Sequence, residues 1–323
     1  MEALRLAVLG CGYAAELNSG ALRALGERVH VSYASRDGAR ARDFARRLRG
    51  RSAFESYAAA LESREVDAVL VATPPASHLE LTLQALRAGK HVVVEKPPFL
   101  RARDFDVVEA AAREAGRRVC VAENYHYKPV ARVLRRLLAE GAIGELLFAQ
   151  FNALKAQATS GWREDAGLAG GGALYEGGIH WVSFAASLGP RVVRAAGFGA
   201  RDPRRERGLL AVFEYEGGAS ATLAYSWEVP SPLRGLRVSR LYGREGSIAF
   251  ESNGLWVAVW GRRKRLFVPD PTDLVGRRAM WRDFVDCLQG DREPEMSFAR
   301  ARRDLELVEE IYASLPRAEH PVD

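Results

Sequence analysis

Short apolar runs alternate with longer amphipathic segments over residues 4–122 of the chain. The runs predict β-strands at Leu4–Leu9, Val29–Ala34, Ala68–Ala72, Val92–Glu95 and Val119–Ala122, and the segments predict helices at about 15–25, 39–49, 77–88 and 103–115. The third helix opens with Ser77-His78-Leu79-Glu80, the pattern of a capping box, and Gly89 is a typical helix stop. Strands that alternate with helices form βαβ units, so we predict a parallel sheet.

The pattern changes after residue 122. A helix at about 130–140 and a strand near 146–154 precede a glycine-rich segment, Gly170-Gly171-Gly172, and helices near 275–288 and 299–314 close the chain. Further strands of an antiparallel or mixed sheet are predicted at Leu210–Tyr215, Ala219–Trp227, Leu236–Tyr242, Ser247–Phe250 and Leu255–Trp260. We therefore predict an α/β protein with two domains, residues 1–122 and 123–323.

The composition of the 323-residue chain is that of an ordinary soluble protein, with 48% hydrophobic and 27% charged residues. No apolar stretch approaches the ~20 residues that span a bilayer, and the N-terminus leads directly into the first predicted strand without a signal peptide. The cysteines, Cys11, Cys120 and Cys287, are well separated and suit a reducing compartment. We expect a cytoplasmic protein without a membrane anchor.

The net charge of +6 suits an anionic ligand such as a phosphorylated cofactor. The arginines are spread over the whole length instead of forming one stripe with interleaved aromatic residues, which is the pattern of a nucleic-acid interface. We therefore expect no nucleic-acid partner.

A glycine-rich string, Gly10-Cys11-Gly12-Tyr13-Ala14-Ala15, directly follows the first predicted strand and opens the first predicted helix. Small residues let the backbone approach a pyrophosphate, and a helix N-terminus offers free N–H groups and a favourable dipole. Alone the string is a weak signal that a tight turn would also explain. Its place in a βαβ unit is the context of a dinucleotide fingerprint, so we predict that Gly10, Gly12, Tyr13 and Ala14 bind a dinucleotide.

The end of the second predicted strand bears on which dinucleotide is bound. An NAD-selective site has an acid about 20 residues beyond the glycines that binds the ribose 2′-hydroxyl, whereas this chain has Ser35-Arg36-Asp37. Ser35 and Arg36 suit a 2′-phosphate, with which they form charge-assisted hydrogen bonds. Asp37 is an acid that would suit the ribose of NAD, so NAD remains an alternative, although Asp37-Gly38 is also the sequence of an ordinary turn. We expect NADP as the preferred cofactor and NAD as the alternative.

Lys96 is one of five lysines in a chain with 42 arginines, and it follows the apolar run His91–Val94 in the sequence Glu95-Lys96-Pro97. Arginine stays charged at any accessible pH, whereas a lysine ammonium is compact and exchanges its proton more readily. Chance alone would also place a lysine here. The position after a predicted parallel strand makes Lys96 a candidate for chemistry.

Several blocks together resemble the Gfo/Idh/MocA oxidoreductases, the glucose–fructose oxidoreductase and inositol dehydrogenase group. The resemblance extends over nearly the whole chain, and it is most specific in the block from Ala88 to Pro97 and in the later glycine-histidine block. The other blocks are Val66–Pro75 with Ser77-His78, Ala122-Glu123-Asn124-Tyr125, Lys128-Pro129, Gly141–Glu145, Gly170–Leu174, Tyr242–Ser247 and Asp283–Asp286.

The resemblance implies an N-terminal Rossmann domain and a C-terminal α/β domain with a large, mostly antiparallel sheet, whose open face commonly forms dimers or tetramers. It also implies hydride transfer at a carbon of a sugar, polyol or diol. Trp162 and Arg163 resemble a pair that in some members reaches the cofactor or the substrate. By motif match, the residues around the cofactor are Gly10, Gly12, Ser35, Arg36, Thr73, Pro74, His78, Glu95, Lys96 and Asn124.

The later block, Glu176-Gly177-Gly178-Ile179-His180, supplies the other catalytic candidates. If it is helical, Glu176 and His180 lie one turn apart on the same face. The family usually has aspartate at the position of Glu176, which leaves the role of this side chain more open. The two glycines weaken a helix, although they would let a substrate or a nicotinamide ring approach the backbone. With no third ligand at a suitable spacing, we predict no metal site.

In the oxidation direction, His180 would accept the hydroxyl proton while Lys96 hydrogen-bonds the substrate oxygen. The reverse assignment, in which Lys96 carries the proton and His180 positions the substrate, is equally open. Glu176 would orient the imidazole or hold a second hydroxyl of the substrate. We expect a dehydrogenase or reductase that acts on a carbohydrate-like or diol substrate as a homodimer or homotetramer. The alternatives are a catalytically silent sensor that binds NAD(P) and an enzyme that returns the hydride to the same substrate.

Overall fold

The computed structural model describes residues 2–200, 202, 205–231, 236–290 and 292–315. The chain divides into two compact units. The first contains residues 1–123 and 277–302, and the second contains residues 124–276 and the chain from Arg303 onward. A single boundary near residue 122 does not account for the return of residues 277–302 to the first unit.

The first unit is built on a six-stranded parallel sheet in the order β3-β2-β1-β4-β5-β6. Its strands are β1 (Leu4–Leu9), β2 (Val29–Ala34), β3 (Ala53–Phe54), β4 (Ala68–Val71), β5 (His91–Val94) and β6 (Val119–Val121). Its first helices are α1 (Tyr13–Arg23), α2 (Gly38–Leu48), α3 (Tyr57–Glu62), α4 (His78–Arg87) and α5 (Asp104–Ala115). This is the strand order of a dinucleotide-binding sheet, with its switch point between β1 and β4.

The predicted strands and helices of this unit are confirmed, with ends shifted by a few residues. All four residues of β4 are buried, as expected for a central strand that helices cover on both faces. The short strand β3 and helix α3 were not predicted, because two extended residues and six helical ones are too few for a clear period.

The predicted capping box at the start of α4 is wrong. The Ser77 hydroxyl lies 2.9 Å from the Pro74 carbonyl, to which it donates, and 2.7 Å from Thr73 Oγ1, so it does not cap the helix. Glu80 accepts a hydrogen bond from Gln84. Pro75–Ser77 form a short 3₁₀ turn before the helix, and this turn changes the direction in which Ser77 points. The stop at Gly89 is confirmed by its positive φ of 70°.

The second unit contains an eight-stranded sheet in the order β14-β13-β12-β11-β7-β10-β9-β8. Among the described strands of this sheet, only β7 and β10 pair in parallel, so the predicted large, mostly antiparallel sheet is confirmed. The strands are β7 (Leu146–Leu154), β8 (Val192–Phe198), β9 (Gly208–Tyr215), β10 (Ser220–Ser226), β11 (Val238–Gly243), β12 (Gly246–Glu251), β13 (Val257–Trp260) and β14 (Arg265–Phe267). The helices are α6 (Pro129–Ala139), α7 (Ala166–Ala169) and α8 (Ile179–Ala186).

The two faces of this sheet differ. Phe151 on β7 and Phe250 on β12 are buried, and both rings contact Phe184 of α8. On the opposite face, Phe148 and Trp260 are each 60% exposed. One face therefore forms the core of the unit and the other is open. Strands β8 and β14, which carry one arginine each, were not predicted.

The last two helices are α9 (Arg277–Gln289) and α10 (Phe298–Ala313). Helix α9 packs on α1, where the indole N–H of Trp281 donates to Asn18 Oδ1 at 2.8 Å. Helix α10 begins in the first unit, where the ring of Phe298 lies 4.7 Å from that of Phe105. The chain thus returns to the first unit before it enters the second again. No helix in the described ranges is long and apolar enough to span a bilayer.

Candidate functional site

Two glycines form the turn between β1 and α1. Gly10 has φ of +108°, and a Cβ there would lie 2.7 Å from the Ala72 carbonyl oxygen, so a side chain is excluded by both strain and contact. A Cβ on Gly12 would meet nothing within 4 Å. Gly10 therefore permits the turn itself, whereas Gly12 leaves space above the helix.

Helix α1 begins with Gly12 as its N-cap, and no side chain caps it. Ala14 is partly buried in its first turn, whereas Tyr13 is 68% exposed. The N–H groups of an uncapped first turn attract an anion, and the helix dipole adds to this attraction. The open space over Gly12 and the uncapped first turn fit the pyrophosphate of a dinucleotide.

The loops that follow β4 and β5 lie at the carboxyl edge of the same parallel sheet. They carry the partly exposed side chains of Thr73, Pro74, Glu95 and Lys96. Ligands of open α/β sheets bind at this edge, beside the switch point. The structure therefore brings these four predicted residues to the edge that also carries the turn from Gly10 to Gly12.

Asn18 is a buried polar residue that fixes this edge. Its amide donates to Glu95 Oε1 at 2.5 Å and to the Ala14 carbonyl at 2.9 Å. The other oxygen of Glu95 accepts the backbone N–H of Lys96 at 3.2 Å. Glu95 thus connects the first turn of α1 with Lys96, so its position supports a structural role beside the expected contact with a cofactor.

His78 lies within the unit and is only 1% exposed. Its ring nitrogens lie 2.7 Å from the Thr73 carbonyl and 2.9 Å from the Pro97 carbonyl. Burial, the largest cause, lowers the pKa of His78, and the two carbonyl oxygens oppose this shift. His78 therefore holds the loop after β4 against the loop after β5. Its predicted place beside the cofactor stays a prediction.

The end of β2 carries the residues that bear on NADP selectivity. Ser35 is buried and Arg36 is exposed. Asp37 caps α2, because its Oδ1 accepts the N–H of Ala39 at 3.0 Å and that of Arg40 at 3.3 Å. Asp37 is therefore already engaged as the cap of an ordinary turn, which weakens the case for it as an acid that binds ribose.

Arg40 is a residue that sequence reasoning missed. It is exposed in the first turn of α2, and its charge acts on both Cys11 and Tyr57, as that of Arg36 does on Tyr57. Burial is the largest cause that raises the pKa of Cys11 to about 11, and Arg40 opposes it. An arginine four positions after Arg36 was the available signal, but only the fold shows that both charges act near the glycine turn.

In the second unit, the segment that carries Glu176 and His180 is helical, as expected, but it begins as a π-helical turn at Leu174–Gly178 and continues as α8. π-helical turns occur often at functional sites. The turn is held at its start by Glu206, whose Oε1 accepts the N–H of Leu174 at 2.5 Å and the hydroxyl of Tyr312 at 2.8 Å. Burial is the largest cause that raises the pKa of Glu206.

Glu176 is paired with Arg163. The Arg163 Nε lies 3.0 Å from Glu176 Oε1, and its guanidinium lies 4.5 Å from the centre of the Trp162 ring. Glu176 is buried, with 7% exposure, whereas Arg163 and Trp162 are partly exposed. The structure thus brings three predicted residues of this unit together, and the ion pair compensates the buried carboxylate.

Close packing explains why glycine occupies both positions 177 and 178, between Glu176 and His180. A Cβ on Gly177 would lie 2.4 Å from the Tyr225 hydroxyl oxygen, and one on Gly178 would lie 2.7 Å from Leu174 Cδ1. The Tyr225 hydroxyl accepts a hydrogen bond from the Trp227 indole at 2.8 Å. Both glycines let the helix approach β10, and the expected close approach of a ligand to their backbone stays a prediction.

His180 is partly exposed and stacks on Tyr125. Their ring centres are 4.4 Å apart and the rings are nearly parallel, at 9°. Lys128 also lies against Tyr125, with its Nζ 4.4 Å from the centre of the tyrosine ring. The sequence pattern did not single out Lys128 as a site residue, because its position near α8 depends on the fold.

Asn124 begins the second unit and is 5% exposed. Its amide nitrogen donates to the Val275 carbonyl at 2.5 Å. A Cβ on Gly276 would lie 2.7 Å from the Asn124 carbonyl oxygen. Asn124 therefore holds residues 275–276, a structural role that its predicted contact with the cofactor did not include.

Two family models match the chain. An oxidoreductase family with an NAD-binding Rossmann fold, Gfo/Idh/MocA, matches residues 4–123, and the C-terminal domain of the same family matches residues 131–249. The first match lies in the first unit and the second match lies in the second unit.

Characterised relatives are similar over most of their length. The chain is 36% identical over 261 residues to dTDP-3,4-didehydro-2,6-dideoxy-alpha-D-glucose 3-reductase of Streptomyces violaceoruber, which covers 78% of this chain and 73% of the relative. It is 32% identical over 240 residues to 1,5-anhydro-D-fructose reductase of Ensifer adhaerens, which covers 71% of this chain and 70% of the relative. The solved structure of GenD2 from gentamicin A biosynthesis, in complex with NAD, has a TM-score of 0.82 at 25% identity and covers 97% of this chain and 94% of its own.

Proposed function

Since this chain belongs to the Gfo/Idh/MocA oxidoreductase family, we propose that it transfers a hydride between a nicotinamide dinucleotide and a hydroxyl-bearing or carbonyl carbon of a carbohydrate. The observation that carries the proposal is the uncapped N-terminus of α1 at the switch point of a parallel sheet whose next loops carry Lys96. Bound nicotinamide would supply the hydride acceptor or donor.

Sugars and related polyols or diols are the proposed substrate class. The two relatives described above are reductases whose names give a deoxysugar nucleotide and an anhydrosugar. In the second unit, Trp162, Arg163, Glu176 and His180 offer an indole surface and both signs of charge, which suit a ligand with several hydroxyl groups.

We assign the proton of the reacting hydroxyl to His180 and a hydrogen bond to the substrate oxygen to Lys96. A neutral imidazole accepts a proton near neutral pH, and an ammonium stabilises negative charge that develops on oxygen. Glu176, paired with Arg163, would position the substrate rather than act as a base. The reverse assignment, with Lys96 as the proton carrier, predicts a different pH dependence of the rate for the single variants Lys96→Met and His180→Asn.

NADP is the proposed preferred cofactor. Arg36 and Arg40 present two positive charges at the end of β2 and the start of α2, where the 2′-phosphate of NADP binds in such sheets. Asp37 supports the same preference, because its carboxylate already caps α2.

The test is hydride transfer from 4-deuterated NADPH and NADH to a panel of ketosugars, with the reverse reaction on sugars, polyols and dihydrodiols. We expect label in at least one product and a loss of turnover of 10²-fold or more in Lys96→Met and His180→Asn. Cofactor binding without label transfer to any substrate would instead indicate a sensor. Label exchange without net consumption of cofactor would indicate that the hydride returns to the same substrate.

We also propose that the open sheet face of the second unit joins copies of the chain. Pairing across β7, β11, β12 and β13 places Phe148, Tyr242, Ser247 and Trp260 in one row on that face. A second row contains Leu210 and Phe198, which are 40% and 54% exposed. Large exposed apolar side chains grouped on one sheet face are typical of interfaces, and a twofold axis would pair the face with itself. A cytoplasmic location is proposed from the three free, buried cysteines.

A further inference from the structure

Lys128 is a buried cation close to the proposed proton acceptor. It is 3% exposed, directly before α6, and its Nζ donates to the Ser252 carbonyl at 3.3 Å. The same atom lies 4.4 Å from the ring centre of Tyr125 and 5.8 Å from that of Trp181. Carbonyl oxygen and aromatic faces both stabilise the charged form of a lysine.

Tyr125 connects this cation with His180. Its ring stacks on the imidazole at 4.4 Å and lies against the ammonium at the same distance, so the ammonium is within about 9 Å of the imidazole. Burial weakens the screening by water and salt that reduces such an interaction at a surface. A second positive charge on His180 is therefore disfavoured by the first one on Lys128.

We propose that Lys128 is a positioning residue that keeps the His180 imidazole neutral through its buried charge, while Tyr125 fixes the plane of the ring. The proposal rests on the proposed function in one respect, because a neutral imidazole matters only if His180 accepts the substrate proton. Its electrostatic part stands without any reaction.

Other ionisable groups lie on the segments packed against α8 or beside its rings, namely Tyr125, His126, Arg163, Glu176, Tyr225 and Arg237. The charge of Glu176 is matched by Arg163. Burial, and then the charge of Glu176, raise the pKa of Tyr225 well above its ordinary value, so this phenol is neutral. Arg237, over the Trp181 ring at 5.9 Å, adds a charge of the same sign as Lys128.

The test is the NMR titration of His180 in the protein without substrate, assigned by comparison with His180→Asn. Removal of the charge in Lys128→Met is expected to move the His180 titration to higher pH by about one unit, from the Coulomb energy over about 9 Å at an effective dielectric constant of about 20. Lys128→Gln serves the same purpose if the methionine variant does not fold. Lys128→Arg keeps the charge and is expected to stay near the wild-type midpoint.

Lys264→Met is the matched control, because Lys264 also lies over an aromatic ring, that of Trp260 at 5.8 Å, but is exposed. An unchanged midpoint in the Lys128 variants, or an equal shift in Lys264→Met, would overturn the proposal. The acidic limb of kcat/KM for alcohol oxidation should shift with the NMR midpoint. A shifted midpoint in a protein without measurable turnover would support the role of Lys128 and contradict the proposed function instead.

Discussion

Arg163 and Glu176 form an ion pair in the second unit, with Nε 3.0 Å from Oε1. The pair joins the segment Gly161–Glu164 to the π-helical turn before α8. Its carboxylate is buried, so the loss of Arg163 removes an ion pair that offsets the cost of burying the charge of Glu176. The sequence suggested Glu176 as a group that orients His180. In the structure Glu176 accepts a hydrogen bond from Arg163, thirteen residues earlier in the chain.

The first prediction concerns this pair. Arg163→Met and Glu176→Gln are each expected to lower kcat/KM by about tenfold, because both release the same contact. The double variant should lose little more than the worse single variant, since residues in direct contact are not additive. Steady-state kinetics on the four proteins provide the double-mutant cycle. Fully additive losses would mean that the two side chains act independently.

Selectivity for NADP is predicted to depend on Arg36 and Arg40. Replacement of either by alanine should raise the KM for NADPH by about tenfold and leave that for NADH nearly unchanged, because a charge-assisted hydrogen bond to the 2′-phosphate contributes about 1.5–3 kcal/mol. Arg46→Ala, an exposed arginine near the end of the same helix, is the control. Equal effects on NADPH and NADH would contradict the assignment.

Gly177→Ala is expected to destabilise the second unit by about 1–3 kcal/mol, because its Cβ would overlap the Tyr225 hydroxyl. Tyr225→Phe should restore part of the loss in the double variant by removal of that oxygen. Urea denaturation measures the free energy of unfolding. Gly20→Ala, in α1 with nothing within 4 Å of the added Cβ, is the control and should be neutral or slightly stabilising. If Gly177→Ala is as stable as wild type, the prediction is wrong, and β10 moves to accommodate the added methyl group.

Acid sensitivity is predicted for the first unit through His91. The backbone N–H of Arg118 donates to His91 Nδ1 at 3.1 Å, and burial is the largest cause that lowers the pKa of His91 to about 4. The unfolded chain binds this proton near pH 6.5. The free energy of unfolding should therefore fall as the pH falls from about 6.5 to about 4, and this contribution should level off below.

His91→Gln is expected to reduce that slope in urea titrations between pH 7 and pH 4. Part of the slope should remain, since the pKa of buried His78 is also lowered. Parallel curves for wild type and His91→Gln would refute the prediction.

Association through the open sheet is predicted to depend on Phe148 and Trp260, which are both 60% exposed. Phe148→Glu and Trp260→Glu should shift the protein towards monomers in sedimentation or light-scattering measurements, because each replaces an exposed aromatic side chain of that face with a charge. Val107→Glu adds the same charge on α5, where Val107 is 53% exposed, and should not change the mass. A monomeric wild type would refute the proposed interface directly.

The alternation of apolar runs and helices predicted most of the first unit, because central parallel strands are apolar on both faces and long enough to be distinct. Among the strands of the second unit, β14 escaped prediction because three residues are too few for a clear period, and β8 because Arg194 and Gly197 interrupt its apolar run. The capping box at Ser77 was wrong for a local reason, since a 3₁₀ turn before α4 redirects the hydroxyl to Thr73.

By itself the sequence determined the α/β class, the glycine turn after β1 and the candidates Lys96 and His180, because these depend on neighbours within a few positions. Only the tertiary structure decided that Asn18 binds Glu95, that Arg163 neutralises Glu176, and that Lys128 and His180 share the ring of Tyr125. Such contacts join residues from separate elements. Their distances depend on how whole helices and strands pack, which no local pattern of side chains specifies.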